Sequence, residues 1–209
     1  MKKMVLALPV LVVLGVALWL ALSGQESNMA ACADRSPAPA VVAFGDSLVS
    51  GFGVSASENA FSVLSGIVGV PIENLGVSGD TTATARARIS GVLARAPDIV
   101  IVLVGGNDAL MKTSVVETEE NLSAIVTEIK AAGAAAVLVG VIGGFPTDPY
   151  ASMFERLAEE HDVPFVPNIL SGLIGRDEFM SDPIHPNAAG HARMAERLAP
   201  ALERACASS

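Results

Sequence analysis

Basic side chains are scarce in this chain: 13 Lys and Arg stand against 22 Asp and Glu, a formal charge of −9 over 209 residues. No window gathers more than two or three of the basic ones, whereas phosphate recognition needs clusters, so no nucleic acid partner is expected. Only three histidines occur, too few for the imidazole-rich sites of metal-dependent phosphoesterases. With two cysteines the chain is not a disulfide-dense miniprotein, and neither cysteine has a metal-ligand spacing. Charged residues make up 17% and hydrophobic ones 51%, a balance that excludes a disordered or collagen-like chain. Internal repeats are lacking too, and the length allows one domain or at most two.

One long hydrophobic run is present. Met4 to Leu22 is apolar, interrupted only by Pro9 and Gly15, and follows Lys2 and Lys3. As a helix it would reach about 28 Å, close to the thickness of a hydrocarbon core. Three readings are open: an uncleaved anchor, a cleaved secretory signal, or a lipoprotein signal ending at Cys32. In each, the two lysines leave the rest of the chain outside the cytoplasm, at the cell surface or in a bacterial periplasm. Residues 1–29 are therefore set apart as an anchor or signal, and residues 30–40 as a Pro-containing linker. A domain is expected over 41–205. An exported location permits a disulfide between Cys32 and Cys206, the alternative being two unpaired thiols.

Within the domain, short β-branched runs alternate with stretches of helical period. Strands are predicted at Val41 to Phe44, Ile72 to Leu75, Ile99 to Val104, Ala136 to Val141 and Pro164 to Val166. Helices are predicted at Phe61 to Val68, Thr84 to Ala94, Tyr150 to Glu160 and Ala188 to Arg204, the last with Asn187 as its N-cap. The most regular follows a Ser114-x-x-Glu117 capping box, carries Leu122, Ile125, Val126 and Ile129 on one face, and ends at Gly133. This alternation predicts an α/β fold, a flavodoxin-like three-layer sandwich with a five-stranded parallel sheet, preceded by the hydrophobic segment. Ligands of such sheets lie beyond the carboxyl ends of the strands, so the residues that follow each strand carry the functional argument.

After the first strand comes Gly45-Asp46-Ser47-Leu48, which can present a serine Oγ at a helix N-terminus that favours developing negative charge. The plainer reading makes Ser47 an N-cap. After the second comes Gly76-Val77-Ser78-Gly79-Asp80-Thr81-Thr82, and after the third Gly105-Gly106-Asn107-Asp108. The Gly79 N–H and the Asn107 NH₂ can converge with the Ser47 turn on one oxygen, as an oxyanion hole does; ordinary turn usage is the alternative. Before the last helix, Asp182-Pro183-Ile184-His185-Pro186-Asn187 puts a carboxylate three residues ahead of an imidazole, which can bond Nδ1–H and leave Nε2 as a base; a buried structural histidine is the alternative. His161 and His191 are expected at the surface.

These four blocks, in this order, resemble the SGNH (GDSL-type) hydrolases, most closely the small bacterial acyl-CoA thioesterase, lysophospholipase L1 and arylesterase members. The resemblance covers Val41 to Leu202. It implies a serine ester hydrolase cleaving acyl esters or thioesters through an acyl-enzyme, with Ser47 as nucleophile, His185 as base and then acid, and Asp182 as its orienting carboxylate. The Ser47 N–H, the Gly79 N–H and the Asn107 side chain would hold the oxyanion. No metal and no cofactor are implied. Two departures stand out. Pro183 occupies a position that is usually glycine, and Gly143 to Tyr150 does not read like the corresponding thioesterase loop.

Leu110, Met111, Phe145 and Tyr150, in the loops after the third and fourth strands, are expected to line an apolar substrate slot. The alternative is that they pack those loops onto the domain. The expected partners are a small acyl ester or lipid substrate, and the membrane through residues 4–22 if these are uncleaved, with the chain a monomer. A competing functional class is a non-catalytic, membrane-tethered binding module that keeps the fold.

Overall fold

A computed structural model describes residues 31–141 and 149–208. Along the chain run β1 (Val41–Gly45), α1 (Ser47–Ser50), α2 (Ala60–Val68), β2 (Ile72–Gly76), α3 (Thr82–Leu93), β3 (Ile99–Leu103), α4 (Gly106–Met111), α5 (Val115–Ala131), β4 (Ala135–Val139), α6 (Pro149–His161), β5 (Phe165–Val166) and α7 (Ala188–Ser208). The five strands form one parallel sheet in the order β2-β1-β3-β4-β5, the doubly wound arrangement that the alternation predicted.

Residues of β1, β3 and β4 are buried on both faces because helices cover both, whereas edge strand β2 is half-buried to exposed. Val41, Ala43, Ile99, Ile101 and Leu103 face a core completed by α2 and α7, through Phe61, Leu64, Met194 and Leu198. Their alternates Val42, Phe44, Val100 and Val102 face α3, α5 and α6, through Ile89, Leu122, Ile125 and Phe154. Period-two alternation thus feeds two cores from the same strands, which is why the runs read as continuously apolar.

Cys32 and Cys206 are joined in a disulfide. Cys32 is buried, and its N–H donates to Glu203 of α7 at 3.0 Å. The end of the segment read as a linker is therefore pinned to the domain. A sulfur held in a disulfide cannot also carry a thioether-linked lipid, so the lipoprotein reading of Cys32 is overturned. No helix among the described residues is long and apolar enough to cross a membrane. The run from Met4 to Leu22 lies outside the described residues.

Two local readings are corrected. Ser114 is the N-cap of α5 but makes no side-chain capping bond; this helix start is exposed, where solvent can satisfy the first amides in its place. The capping box instead closes α3, between Thr81 and Thr84. His191 is only 1% exposed rather than at the surface, because α7 packs that side against α2, and its Nδ1 accepts the Ala60 N–H at 3.1 Å.

Candidate active site

β1, β2 and β3 end side by side, and the first, second and third blocks begin there. Gly45 closes β1 where no side chain fits: a Cβ would sit 1.8 Å from the Leu103 carbonyl oxygen. The chain then turns into α1. Asp46, not Ser47, is its N-cap, with Oδ1 accepting the Leu48 N–H at 3.0 Å. Ser47 opens the helix with its hydroxyl free of capping duty, so the plainer reading of this serine falls away.

Ser47 Oγ lies 3.1 Å from His185 Nε2, although the two residues are 138 apart in sequence. On the far side of the ring, Nδ1 lies 2.7 Å from Asp182 Oδ2. The Ile184 N–H, followed by the His185 imidazole, holds the Asp182 carboxyl below its ordinary range, so it is ionised and can only accept. Nδ1 therefore carries the proton in this pair, leaving Nε2 to accept from the serine. Asp182 Oδ1 takes the Ile184 N–H at 2.8 Å and the His185 N–H at 2.7 Å. Pro183 lacks an N–H, and this loop makes its bonds from the two residues after it. The departure from glycine leaves the Asp182–His185 contact intact.

Asn107 stands at the start of α4, and its Nδ2 donates to the Asp80 carbonyl at 2.8 Å. An amide NH₂ has two donors, so one N–H fixes the side chain and the other remains for a ligand. Gly79, exposed and at φ +88°, precedes Asp80 in the loop that Asn107 grips. Two further residues lock these loops. Asp108, buried, accepts from Thr82 Oγ1 at 2.6 Å and from the Thr82 N–H at 2.9 Å, tying the second block to the third. Arg88 of α3 donates to Asp80 at 2.6 Å, to the Leu75 carbonyl at 3.0 Å and to the Gly45 carbonyl at 2.9 Å, clamping the ends of β1 and β2.

Burial pushes the Asp46 carboxyl up to about 7, helped by the nearby Asp80 and Asp108 and opposed by the Leu48 N–H and by His185. Among the described residues, no group of three or more His, Cys, Asp or Glu side chains is placed to hold a metal ion.

The four residues expected in a substrate slot divide. Leu110 and Met111, at the end of α4, are exposed at 59% and 70%. Tyr150 is buried in the core with α6, and its hydroxyl donates to the Thr113 carbonyl at 2.5 Å, contacts of the packing kind. Phe145 lies outside the described residues. Phe52, which sequence reading passed over, has its ring 4.5 Å from the His185 imidazole. Its only prior signal was an apolar residue between two glycines, which is ordinary turn composition. The locking contacts of Arg88 and Asp108 were equally invisible, because their partners come from other segments.

A model of the GDSL-like lipase/acylhydrolase family matches residues 43–193. The thioesterase 1/protease 1/lysophospholipase L1 of Escherichia coli strain K12 is 30% identical over 175 residues, covering 79% of this chain and 84% of that protein. The crystal structure of TesA superposes with a TM-score of 0.72 at 27% identity, covering 78% of this chain and 97% of that one. AlinE4, an SGNH-hydrolase family esterase, is 32% identical with a TM-score of 0.62, covering 79% of this chain and 95% of that one.

Proposed function

Because the chain belongs to the GDSL-like lipase/acylhydrolase family and is a carboxylic ester hydrolase, we propose that Ser47, His185 and Asp182 are its catalytic triad. The observation that carries this reading is the unbroken contact from Asp182 through His185 to Ser47, at 2.7 and 3.1 Å.

In the first half-reaction, Ser47 Oγ attacks the ester carbonyl carbon while its proton passes to His185 Nε2. The carbonyl oxygen becomes an oxyanion, received by the Ser47 and Gly79 N–H groups and the second N–H of Asn107. Collapse breaks the bond to the leaving alcohol or thiol, which takes the proton from His185. Water, deprotonated by the same nitrogen, then releases the acid and restores Ser47. Asp182 stays ionised throughout, orienting the ring and stabilising the imidazolium.

Ser47→Ala is expected to lower kcat for a p-nitrophenyl ester by roughly 10⁴- to 10⁶-fold with the melting temperature unchanged. Full activity in that variant would refute the triad. Complete inactivity of the wild-type protein across a panel of esters and thioesters would instead favour the binding-module reading.

We place the domain outside the cytoplasm as a monomer over 41–205, after a segment 1–29 that anchors or exports it and a connecting stretch 30–40 whose Cys32 is fastened to the domain. Lys2 and Lys3 ahead of the apolar run support this, as does a disulfide, which persists in oxidising compartments. Leu110 and Met111 are the apolar residues we assign to the substrate side of the site. Both are exposed near Asn107 on α4.

A further inference from the structure

Two glycines bracket Phe52. Gly51 has φ +80° and Gly53 has φ +86°, both in the left-handed region that side chains resist. At Gly51 a Cβ would also meet Asn59 Nδ2 at 2.2 Å, and at Gly53 it would meet Ser181 Oγ at 3.2 Å. The N–H groups of Gly51 and Phe52 both return to the Ser47 carbonyl, at 3.0 and 3.1 Å. Ser181 in turn donates from Oγ to the His185 carbonyl at 3.0 Å. This turn is thus wedged between the helix that carries Ser47 and the loop that carries Asp182 and His185.

It holds one large side chain there. The Phe52 ring lies 4.5 Å from the His185 ring at an interplanar angle of 39°, yet Phe52 is 53% exposed. A phenyl ring half in water gives up much of the free energy that burial would supply, so folding alone does not explain the placement. Ile184 and Val77, on the neighbouring loops, are exposed as well.

The side of the site on which Phe52 stands follows from the chemistry. When the tetrahedral intermediate collapses, the carbon–oxygen bond to the alcohol breaks and the His185 proton moves to that oxygen. The alcohol half of the ester must then lie against His185, and the ring packed at a tilt against that imidazole borders the same space. We infer that Phe52 is a specificity-determining residue on the leaving-group side, the wall against which an apolar, flat alcohol lies. This rests on the triad reading, and it names the chemistry favoured: esters of aromatic or similarly planar alcohols. A ring on such an alcohol covers the exposed face of Phe52, and aromatic pairs at this spacing attract beyond the area they bury.

The test compares benzyl acetate with ethyl acetate, which share an acyl group and have alcohols of similar acidity. Phe52→Leu and Phe52→Ala are measured beside Phe52→Trp. The wild type and Phe52→Trp are expected to favour the benzyl ester. The ratio of kcat/KM values should fall about tenfold or more in the alanine variant and less in the leucine variant, the size of effect that an apolar contact at a site supplies. A series of ethyl esters of increasing acyl length should keep its profile in all variants. An unchanged benzyl-to-ethyl ratio in correctly folded Phe52→Ala, or a shift confined to the acyl series, would overturn the assignment. Failure of the triad reading looks different: Ser47→Ala would hydrolyse both acetates as the wild type does.

Discussion

At the carboxyl edge of the sheet the chain buries Asp46, Asp80 and Asp108 within a few residues of the exposed Phe52, Val77, Leu110 and Met111. At the amino edge, where Ala40 and Asp98 bridge the starts of β1 and β3, the buried side chains include the half-cystines Cys32 and Cys206. One buried carboxylate occurs there too, Glu203, with one oxygen on the Cys32 N–H and the other without a partner among the described residues. The first edge inverts the usual partition of polar and apolar groups, and the second mostly obeys it. The difference separates the work of the two edges: charge is confined where a reaction needs fixed hydrogen-bonding groups, and the covalent staple lies away from it. Loss of the staple at one edge should therefore move stability without chemistry, loss of a hydrogen-bonding group at the other should move chemistry, and a buried charge there should cost stability.

The largest expected effect is at the amino edge. Replacing both Cys32 and Cys206 with serine removes a crosslink that spans 174 residues of sequence. It should lower unfolding free energy by about 2 to 5 kcal/mol, read by urea denaturation, with kcat of the folded protein unchanged. A large loss of kcat at constant fold would show that the two edges are coupled.

At the other edge, Asp46→Asn should stabilise the protein. The carboxyl sits at about 7 when folded against an ordinary 3.8, so the folded state holds the proton more tightly. Its contribution is fully present below pH 3.8 and is lost as the pH rises through 7. Asparagine keeps the acceptor for Leu48 without the buried charge. The variant should gain up to about 4 kcal/mol relative to wild type between pH 4 and pH 8, measured by denaturation at both. A gain equal at the two pH values would assign it to something other than ionisation.

Asn107→Ala should cost roughly 10² to 10³ in kcat, about 2.7 to 4 kcal/mol, with KM little changed, because its free N–H acts once the oxyanion forms. A raised KM at constant kcat would make Asn107 a ground-state binding group.

His191 gives the smallest effect and the opposite sign to Asp46. Burial, followed by the charge of His185, pulls it down to about 4 from 6.5. Its contribution is complete above pH 6.5 and is lost as the pH falls toward 4, by up to about 3 kcal/mol. His191→Asn should flatten that part of the stability profile. An identical slope in the variant would remove His191 from the account.

The strands, their alternation with helices and the residues that meet as Asp182, His185 and Ser47 were legible in the sequence because their motifs are written locally. β-branched runs mark the strands, Gly45-Asp46-Ser47 sits at a predicted strand-to-helix junction, and Asp182-x-x-His185 sits just before the last predicted helix. What stayed hidden depends on contacts between distant segments. His191 reads as a polar residue on an amphipathic helix until α2 packs against it. Tyr150 reads as a pocket residue until Thr113 takes its hydroxyl. Arg88 reads as a solvated charge on α3, although it joins three carbonyl or carboxylate groups from β1, β2 and the loop between β2 and α3. Ser114-x-x-Glu117 has the right spacing for a capping box, yet water competes for the same amides at an exposed helix start.

The central claim is that one serine at the carboxyl edge carries the covalent step, and intact-mass analysis after treatment with an organophosphonate ester tests it most directly. The account predicts a single adduct, mapped to the peptide that contains Ser47, appearing in step with the loss of esterase activity and absent from Ser47→Ala. Complete inactivation with Ser47 unmodified, or an adduct of equal yield on Ser47→Ala, would contradict it.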